Sequence, residues 1–423
     1  MLRSGARLEL EIERPAAGGR MIARHEGQTV LVAGAIPGER VRVQVERADK
    51  RLAFATTIDV LRSSPDRQPP GSDPACGGCL FNHISIARQR ELKGGIIADA
   101  FRRIGKHSLI EPVTVAPSDP EGYRMRARLH VRDGRTGFYR EGTHELCDAS
   151  ATKQLHFATL PAIARVIEGV RSAGSEPVSV EVAESIAADQ RALYIETAGT
   201  RRIAAGTLEG LLSDEMQAIT AVNAGGARTS VGSGAIVESL GALTAGRVSG
   251  EVRRQPESFF QSNRFLIAGL VAAVTDSVLP DGDVLDLYAG VGLFALALDA
   301  SRRVVAVEGH PISGADLESN ARLAGARVTA VVSSVEQYLE AVSAWPATVI
   351  VDPPRTGLSR EAVASLTAGA PQRVVYVSCD PATLARDTRA LLDGGYQLLS
   401  VRGFDLFPNT PHVEALAVFD RSR

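Results

Sequence analysis

A cysteine and two carboxylates stand where strands of a sheet would end. Cys379 lies in YVSCDPATLARDT, between the β-branched run RVVYV and a proline that starts a helical segment. Asp352 follows another apolar run in VIVDPPRTGLS, and Glu414 lies in HVEALAVF. Ligands of open α/β sheets bind at the carboxyl ends of the strands, so a thiol there is a candidate nucleophile. The alternative for Cys379 is a small apolar filler, since free cysteine is often buried.

A glycine turn followed by an acidic residue indicates a nucleotide cofactor. In DVLDLYAGVGLFALAL, Gly290 and Gly292 permit a tight turn and close approach to a ligand. Glu308 ends the next strand, where a carboxylate can accept both hydroxyls of a ribose. Asp286, inside the first strand, would repel a pyrophosphate but can orient a cationic methionine group. With the rigid Asp-Pro-Pro loop at Asp352, these features favour S-adenosylmethionine over a nicotinamide cofactor. The alternative role of Asp352 is a turn cap.

These residues belong to a C-terminal stretch, about 251–423, in which apolar runs alternate with helical segments. The alternation predicts an α/β fold with a doubly wound sheet. The last two apolar runs are joined by DLFPNTPH, which is too short for a crossover helix, so they are expected to form an antiparallel edge pair. On the final strand His412 and Glu414 would share one face. The alternative for Glu414 is an exposed charge on an edge strand.

Residues 1–62 contain short alternating segments, LELEIE, TVLVAG, RVRVQVE and FATTIDVL, separated by glycine and proline turns. This pattern predicts a small antiparallel β-barrel of the OB-like kind. Basic residues cluster around one of its hairpins, and a barrel with such a face suits single-stranded nucleic acid, although a solvated hairpin would look similar. They are Arg40, Arg42, Arg47, Lys50 and Arg51.

Residues 63–250 are expected to form an α+β domain. They begin with a helical pattern, ISIARQRELKGGIIADAFRRIG, and continue into YRMRARLHVRDGRTGFYR, which turns at DGR or RTG. On a strand Arg124, Arg126 and Arg128 would lie on one face. Because no acidic residue is interleaved with them, contact with an RNA backbone is favoured over incidental surface charge.

The composition is that of a soluble globular protein. Of its 423 residues 44% are hydrophobic and 23% charged, and the net charge is −2, so nucleic acid would have to be bound by local patches. No signal peptide precedes the first strand, and no run approaches the roughly 20 apolar residues of a membrane span. We therefore expect a cytoplasmic protein without membrane contact. Four cysteines in a reducing compartment favour catalytic, metal-binding or packing roles over a disulfide scaffold.

With these motifs assembled, the chain resembles the bacterial RNA (uracil-5-)-methyltransferases, which use S-adenosylmethionine to make 5-methyluridine in tRNA or rRNA. The resemblance covers nearly the whole chain. It is carried by the N-terminal barrel, CGGC, YRMRARLHV, GFYREGTHE, FFQSN, DLYAGVGLF, DPPRTGLS, SCDPATLARD and HVE. It implies a TRAM-type barrel and a class I, Rossmann-like methyltransferase domain. It also implies RNA as the partner, with rRNA favoured over tRNA, and no obligate protein partner is evident.

The resemblance makes Cys379 the nucleophile and Glu414 the general base. The residues that it assigns to cofactor binding are Gln261, Tyr288, Glu308 and Asp352. In this chemistry a thiolate adds to carbon 6 of uracil so that carbon 5 can attack the methyl group, and a base then removes the proton from carbon 5. The helix that opens at Pro381 is expected to favour the thiolate through its positive end. The target base must be unpaired or flipped out.

The chain departs from the family pattern in two places. Leu293 stands where relatives often have asparagine, so one polar cofactor contact is expected to be missing. Many relatives bind a four-iron cluster through four cysteines, and only Cys76 and Cys79 match; the other two ligands would fall near Pro70 and Thr152, with Cys147 close to the latter. Three thiolates fall short of four, so no intact cluster or other metal is expected.

Two other functions stay open on these grounds. A binding or assembly factor for RNA could keep the fold without catalysis, since a fold does not fix a function. An amino-group methyltransferase could use the Asp-Pro-Pro loop to orient an exocyclic nitrogen and would need no cysteine.

Overall fold

The computed structural model describes residues 2–299 and 301–422, whose strands form four sheets. Within these two ranges no helix combines the length and the apolar character needed to cross a bilayer. Three of the sheets, with six, seven and eight strands, account for most of the architecture.

The first sheet is a closed barrel. Its strands are β1 (Arg7–Glu11), β2 (Arg14–Pro15), β3 (Met21–His25), β4 (Gln28–Ala33), β5 (Arg40–Ala48) and β6 (Leu52–Arg62). Their order is β1-β5-β6-β4-β3-β2, and the sheet closes because β1 and β2 follow each other in the chain. Val41, Val43 and Val45 fill the interior. The predicted barrel is confirmed, with one correction: β4 and β6 run parallel.

Two of the five basic residues of the barrel hairpin are neutralised by acids. Arg40 and Arg42 each donate to Glu9, at 2.9 and 3.1 Å, and Arg42 also donates to Asp59 at 3.2 Å. The register of the sheet places Glu9 directly opposite Arg42 on the neighbouring strand. The prediction of a positive face at Arg40 and Arg42 is therefore wrong, because these acidic partners come from other strands.

The next stretch of chain builds the second sheet. Its elements are α1 (Ile86–Arg103), β7 (Val115–Ala116), β8 (Arg126–Arg132), β9 (Arg135–Tyr139), β10 (Leu146–Asp148), a 3₁₀ turn (Ser150–Thr152), α2 (Thr159–Ser172), β11 (Glu176–Glu184), β12 (Arg191–Ala198), α3 (Ala205–Glu209), β13 (Met216–Asn223), β14 (Arg228–Gly232), β15 (Ile236–Ser239) and α4 (Leu240–Leu243). Seven strands pair in the order β10-β9-β8-β11-β12-β13-β14. The predicted turn between β8 and β9 falls at Asp133 and Gly134, both with positive φ, as a two-residue hairpin loop requires.

The arginine row on β8 also has partners. Arg126 contacts Glu181 at 3.2 Å, and Arg128 contacts Glu196 at 2.6 Å, both acids lying on the adjoining strands β11 and β12. Arg124 precedes β8 and donates to the side chain of Gln154 at 2.7 Å. The expectation that these arginines lack neutralising partners is wrong for Arg126 and Arg128, whose acids lie more than fifty residues along the chain. The partner of Arg124 is a neutral amide.

The third stretch contains most of the eight-stranded sheet. Its elements are β16 (Glu251–Arg254), α5 (Ile267–Ser277), β17 (Val284–Leu287), α6 (Leu293–Ala297), β18 (Val304–Glu308), α7 (Pro311–Ala324), a 3₁₀ turn (Gly325–Arg327), β19 (Val328–Val332), α8 (Val335–Ala341), β20 (Thr348–Val351), α9 (Arg360–Gly369), β21 (Arg373–Ser378), α10 (Pro381–Asp393), β22 (Tyr396–Phe404) and β23 (Glu414–Arg421).

This sheet has the order β19-β18-β17-β20-β21-β23-β22-β7. Strands β17 to β21 are parallel, and β23 runs antiparallel to both β21 and β22. The predicted doubly wound sheet with an antiparallel pair is confirmed. The short strand β7 adds a further, parallel neighbour to β22 at that edge.

Two elements of the predicted middle segment lie on the C-terminal sheet. Strand β7 joins its edge, and α1 packs against α10. Lys93 of α1 is buried and forms an ion pair with Asp405, which follows β22. The segment boundaries after residues 62 and 250 stay predictions, and residues 86–116 contact the third segment across the second of them.

Two of the four cysteines are joined. Cys76 and Cys147 form a disulfide with their Cα atoms 5.6 Å apart, while Cys79 and Cys379 are free. The disulfide fastens the loop before α1 to strand β10 across a separation of 71 residues. The expectation that the cysteines avoid disulfides rested on the compartment alone and is corrected by this pairing.

Protein purified without reductant, denatured and treated with iodoacetamide should carry two carbamidomethyl groups by intact mass, and four after reduction. Cys147→Ser should carry three without reduction, because Cys76 then loses its partner. Four groups on the unreduced wild-type protein would contradict the pairing.

Candidate active site

Cys379 lies in the turn between β21 and α10 and is half-buried. Helix α10 begins at Pro381, as expected. Asp380 caps this helix, since its Oδ1 accepts hydrogen bonds from the backbone N–H groups of Ala382 and Thr383 at 2.8 and 3.0 Å. The cap fixes the direction in which the chain leaves the strand and thereby the position of the thiol.

Glu414 is the first residue of β23 and is 3% exposed. Its neighbour Ala415 pairs with Ser378, so the antiparallel register brings Glu414 beside the end of β21 and next to Cys379. The carboxylate is therefore not an exposed edge charge. His412 precedes the strand in the loop and is exposed.

The carboxylates at this strand end raise the pKa of the thiol. The pKa of Cys379 is raised to about 11, by burial first and then by the charges of Glu414 and Asp352. Burial and the charge of Asp352 also hold the pKa of Glu414 well above its usual range. Arg355 opposes both shifts. The expected lowering of the thiol pKa by the helix end is thus outweighed in this structure.

Asp352 connects this group to the cofactor turn. It follows β20, and its Oδ2 accepts a hydrogen bond from Gln261 Nε2 at 3.1 Å. Burial and the nearby charge of Glu308 raise the pKa of Asp352 to about 7, although the Gln261 bond lowers it. A narrow cavity beside it is lined by Phe259, Gln261, Tyr288, Gly290, Leu293 and Asp352.

The cofactor turn runs from Tyr288 to Gly292, between β17 and α6. Tyr288 has φ 60°, a left-handed conformation that a bulky residue seldom adopts and that is typical of functional sites. Gly290 donates its N–H to Glu308 Oε2 at 2.8 Å, which fixes the carboxylate against the turn. Leu293 begins α6 and presents an apolar side chain to the cavity, as the sequence indicates.

Asp286 does not reach this cavity. It is fully buried in β17 and accepts a hydrogen bond from the backbone N–H of Ala295 at 3.1 Å. Burial raises its pKa to about 8. Its Oδ2 thereby fastens the strand to helix α6, while its Oδ1 has no hydrogen-bond partner among the described residues. The expectation that Asp286 orients a ligand stays a prediction.

Two buried acids that the sequence analysis missed hold the site loops in place. Asp316 of α7 accepts hydrogen bonds from Gln255 N at 2.8 Å and Ser258 Oγ at 2.6 Å, which anchors the loop leading to Gln261. Asp387 of α10 accepts from Leu358 N and Tyr376 Oη, at 2.8 and 2.7 Å, and anchors the loop after Asp352. Each of these acids lies at a buried position of its helix, and a polar residue at such a position indicates a buried hydrogen-bond partner.

The sequence matches known families at both ends. Residues 2–58 match the model of the TRAM domain, and residues 339–422 match that of tRNA (Uracil-5-)-methyltransferase. Over 97% of its length the chain is 34% identical to the 23S rRNA (uracil(1939)-C(5))-methyltransferase RlmD of Chromohalobacter salexigens, of which it covers 89%. The chain belongs to the RNA (uracil-5-)-methyltransferase family. The enzyme of the same name from Pseudomonas fluorescens is 32% identical, with coverage of 99% of this chain and 93% of that protein.

The fold is also that of a solved relative. The Pyrococcus abyssi tRNA (uracil-54, C5)-methyltransferase, determined in complex with S-adenosyl-L-homocysteine, superimposes with a TM-score of 0.77 at 24% identity. The match covers 97% of this chain and 99% of that one. The predicted family, enzyme class and fold, including the TRAM domain, are thereby confirmed.

The cysteines near the start of α1 do not fit the four-iron cluster of many relatives. Cys76 is bonded to Cys147, and the sulfur of Cys79 lies 2.9 Å from Ser72 Oγ in a buried site. Among residues 2–299 and 301–422, no group of three or more His, Cys, Asp or Glu side chains is placed to hold a metal ion. One free thiol cannot supply the four thiolates of such a cluster.

Glu414→Gln should stabilise the protein at high pH. A buried acid whose pKa is raised on folding loses its contribution to the free energy of unfolding as the pH rises from the unfolded value of about 4.5 to the folded one. The variant should match the wild type at pH 4.5 and gain about 1.4 kcal/mol for each further pH unit within that interval. Melting temperatures across a pH series test this, with exposed Glu340→Gln as the matched control. A difference that does not depend on pH would contradict the raised pKa.

Arg355→Gln should make the Cys379 thiol less reactive. The exposed guanidinium favours the thiolate, so its loss should slow alkylation of Cys379 by iodoacetamide by up to about fivefold at low salt. Added salt should shrink the difference, because exposed charges are screened. Peptide mass spectrometry at Cys379 measures the rate, and Arg360→Gln at the start of α9 is the control. Equal rates in all three proteins would remove Arg355 from the electrostatics of the site.

Proposed function

We propose that the protein methylates carbon 5 of a uridine in 23S rRNA, with S-adenosylmethionine as the methyl donor, Cys379 as the nucleophile and Glu414 as the base. The meeting of Cys379 and Glu414 at the end of one strand pair is the observation that carries this proposal. We choose rRNA because the relatives from Chromohalobacter and Pseudomonas are named 23S rRNA methyltransferases.

The charges around this site suit the cationic S-adenosylmethionine. Asp352 and Glu414 are enclosed carboxylates with raised pKa values, so a cationic ligand would relieve their repulsion. When bound, the sulfonium supplies the methyl group and, as a cation, favours the thiolate of Cys379. We assign the cofactor contacts to Gln261, Tyr288, Glu308 and Asp352. Leu293 cannot donate or accept a hydrogen bond, so these four residues make the polar contacts to the cofactor.

The protein side chains divide the chemistry into two parts. The Cys379 sulfur adds to carbon 6 of uracil as its proton leaves to solvent through the open side of the site, and the electron pair moves onto the ring as an enolate. Carbon 5 then takes the methyl group and still carries its hydrogen. Glu414 removes that proton, and the returning electron pair expels the Cys379 thiolate. A carboxylate with a raised pKa suits this step, which is worth about 10² to 10⁴ in rate.

RNA carrying 5-fluorouridine tests the covalent step. With S-adenosylmethionine the wild-type protein should form an adduct that survives denaturing electrophoresis, because fluorine cannot leave as a proton. Cys379→Ala should form none and should show no turnover on ordinary RNA. Glu414→Gln should lose about 10² to 10⁴ in turnover yet still form the adduct.

The same experiment separates the competing functions. An RNA-binding factor would give no adduct and no methylation, and an amino-group methyltransferase would keep its activity in Cys379→Ala. Mapping 5-methyluridine in rRNA and tRNA from cells with and without the gene identifies the substrate. Loss of 5-methyluridine from tRNA alone would overturn the assignment to rRNA.

A further inference from the structure

A groove of about 980 Å³ runs between the barrel and the loops before α1 and after β9. Its volume is at the upper end of the range typical of ligand sites. Gly19, in the turn between β2 and β3, lies at one side of it. A Cβ atom on Gly19 would stand 3.0 Å from Pro411 Cγ, and the residue has φ 94°. The turn that lines the groove therefore also packs on the loop that leads, three residues later, to Glu414.

An aromatic ring lies on the barrel side of the groove. Phe54 of β6 points outward, because its neighbours Ala53 and Ala55 fill the barrel interior. The guanidinium carbon of Arg47 lies 3.9 Å from the centre of the ring, and that of Arg20 lies 5.5 Å from it. A half-buried ring with a planar cation beside it offers a surface on which an unpaired base can stack.

The charges in the groove favour a base over a run of phosphates. Arg20 is paired with Glu46 at 3.0 Å and Glu141 at 3.2 Å. Arg67 is paired with Glu39 at 2.6 Å. Arg47 has no carboxylate within ion-pair distance among the residues that the structure describes, so it is the cation left to meet a phosphate.

We propose that this groove binds an unpaired nucleotide of the substrate RNA next to the target uridine, with its base stacked against Phe54 and Arg47. The inference rests on the proposed function, because it is the RNA held at Cys379 and Glu414 that continues into the groove. It assigns RNA contact to the groove at Phe54 and Arg47 rather than to Arg40 and Arg42, which are paired with Glu9 and Asp59.

Binding of a fluorescein-labelled oligouridine of about 12 nucleotides, followed by anisotropy over a salt series, tests the assignment. Phe54→Leu keeps apolar bulk but removes the aromatic face, and it should raise Kd about fivefold or more without changing the salt dependence. Phe54→Trp should bind as the wild type does. Arg47→Gln should weaken binding and lower the slope of log K against log salt by about 0.7, the value for one phosphate contact of a single strand. Arg40→Gln is the matched control and should change neither quantity, because Arg40 and its partner Glu9 lie outside the groove lining.

Methylation of rRNA by the same variants completes the test. Phe54→Leu should raise KM for RNA while leaving kcat at saturating RNA and the Kd for S-adenosylmethionine unchanged. An unchanged oligouridine Kd in Phe54→Leu would overturn the proposal and leave the groove to a protein partner. Equal weakening by Arg40→Gln would overturn it as a diffuse effect of charge. Wild-type protein that binds oligouridine but forms no 5-methyluridine would instead overturn the proposed function and not the groove.

Discussion

The site depends on repulsion between negative charges that water does not screen. Glu414 and Asp352 each raise the pKa of Cys379, and Asp352 raises that of Glu414. The cation that opposes these shifts is Arg355, which is exposed and therefore weakly effective. Such a cluster of acidic groups is unfavourable while the site holds no ligand, and its electrostatic energy falls when a positively charged ligand binds. This repulsion keeps the thiol protonated while the site is empty. The same repulsion favours a sulfonium ligand over a neutral one.

Such a group can persist only if the surrounding structure holds it together. The antiparallel pairing of β21 with β23 sets the distance between the thiol and Glu414, and a slip of one residue would turn Glu414 to the other face. Asp387 fixes the loop after Asp352, and Asp316 fixes the loop that carries Gln261. These acids receive several hydrogen bonds each, so they remain compatible with burial. The strain at Tyr288 is tolerated for the same reason, because α6, β17 and the Glu308 carboxylate hold the turn on both sides.

Local patterns were enough to predict the parts of the fold that local physics decides. The glycine turn after β17, the helix at Pro381 and the antiparallel pair β22 and β23 each follow from a few neighbouring residues. The sequence did not predict which side chains pair across neighbouring strands. Glu181 and Glu196 neutralise β8 from 53 and 68 residues away, and Cys147 bonds to Cys76 across 71. The side of β17 that faces the cavity also depends on the register of this strand with its neighbours, so the orientation of Asp286 does not follow from its own segment.

The same lesson applies to the way the protein meets RNA. Arginines were counted as binding residues where acids of other strands already occupy them, whereas the groove at Phe54 holds few free charges and was not visible in the sequence. The binding energy of a base stacked on an aromatic face depends little on net charge, and such contacts accept any base of the RNA sequence. Because the turn at Gly19 packs against Pro411, any nucleotide that orders this side of the barrel also bears on the loop in front of Glu414. The barrel thus contacts the loop in front of the candidate base Glu414, although the two lie nearly four hundred residues apart in the sequence.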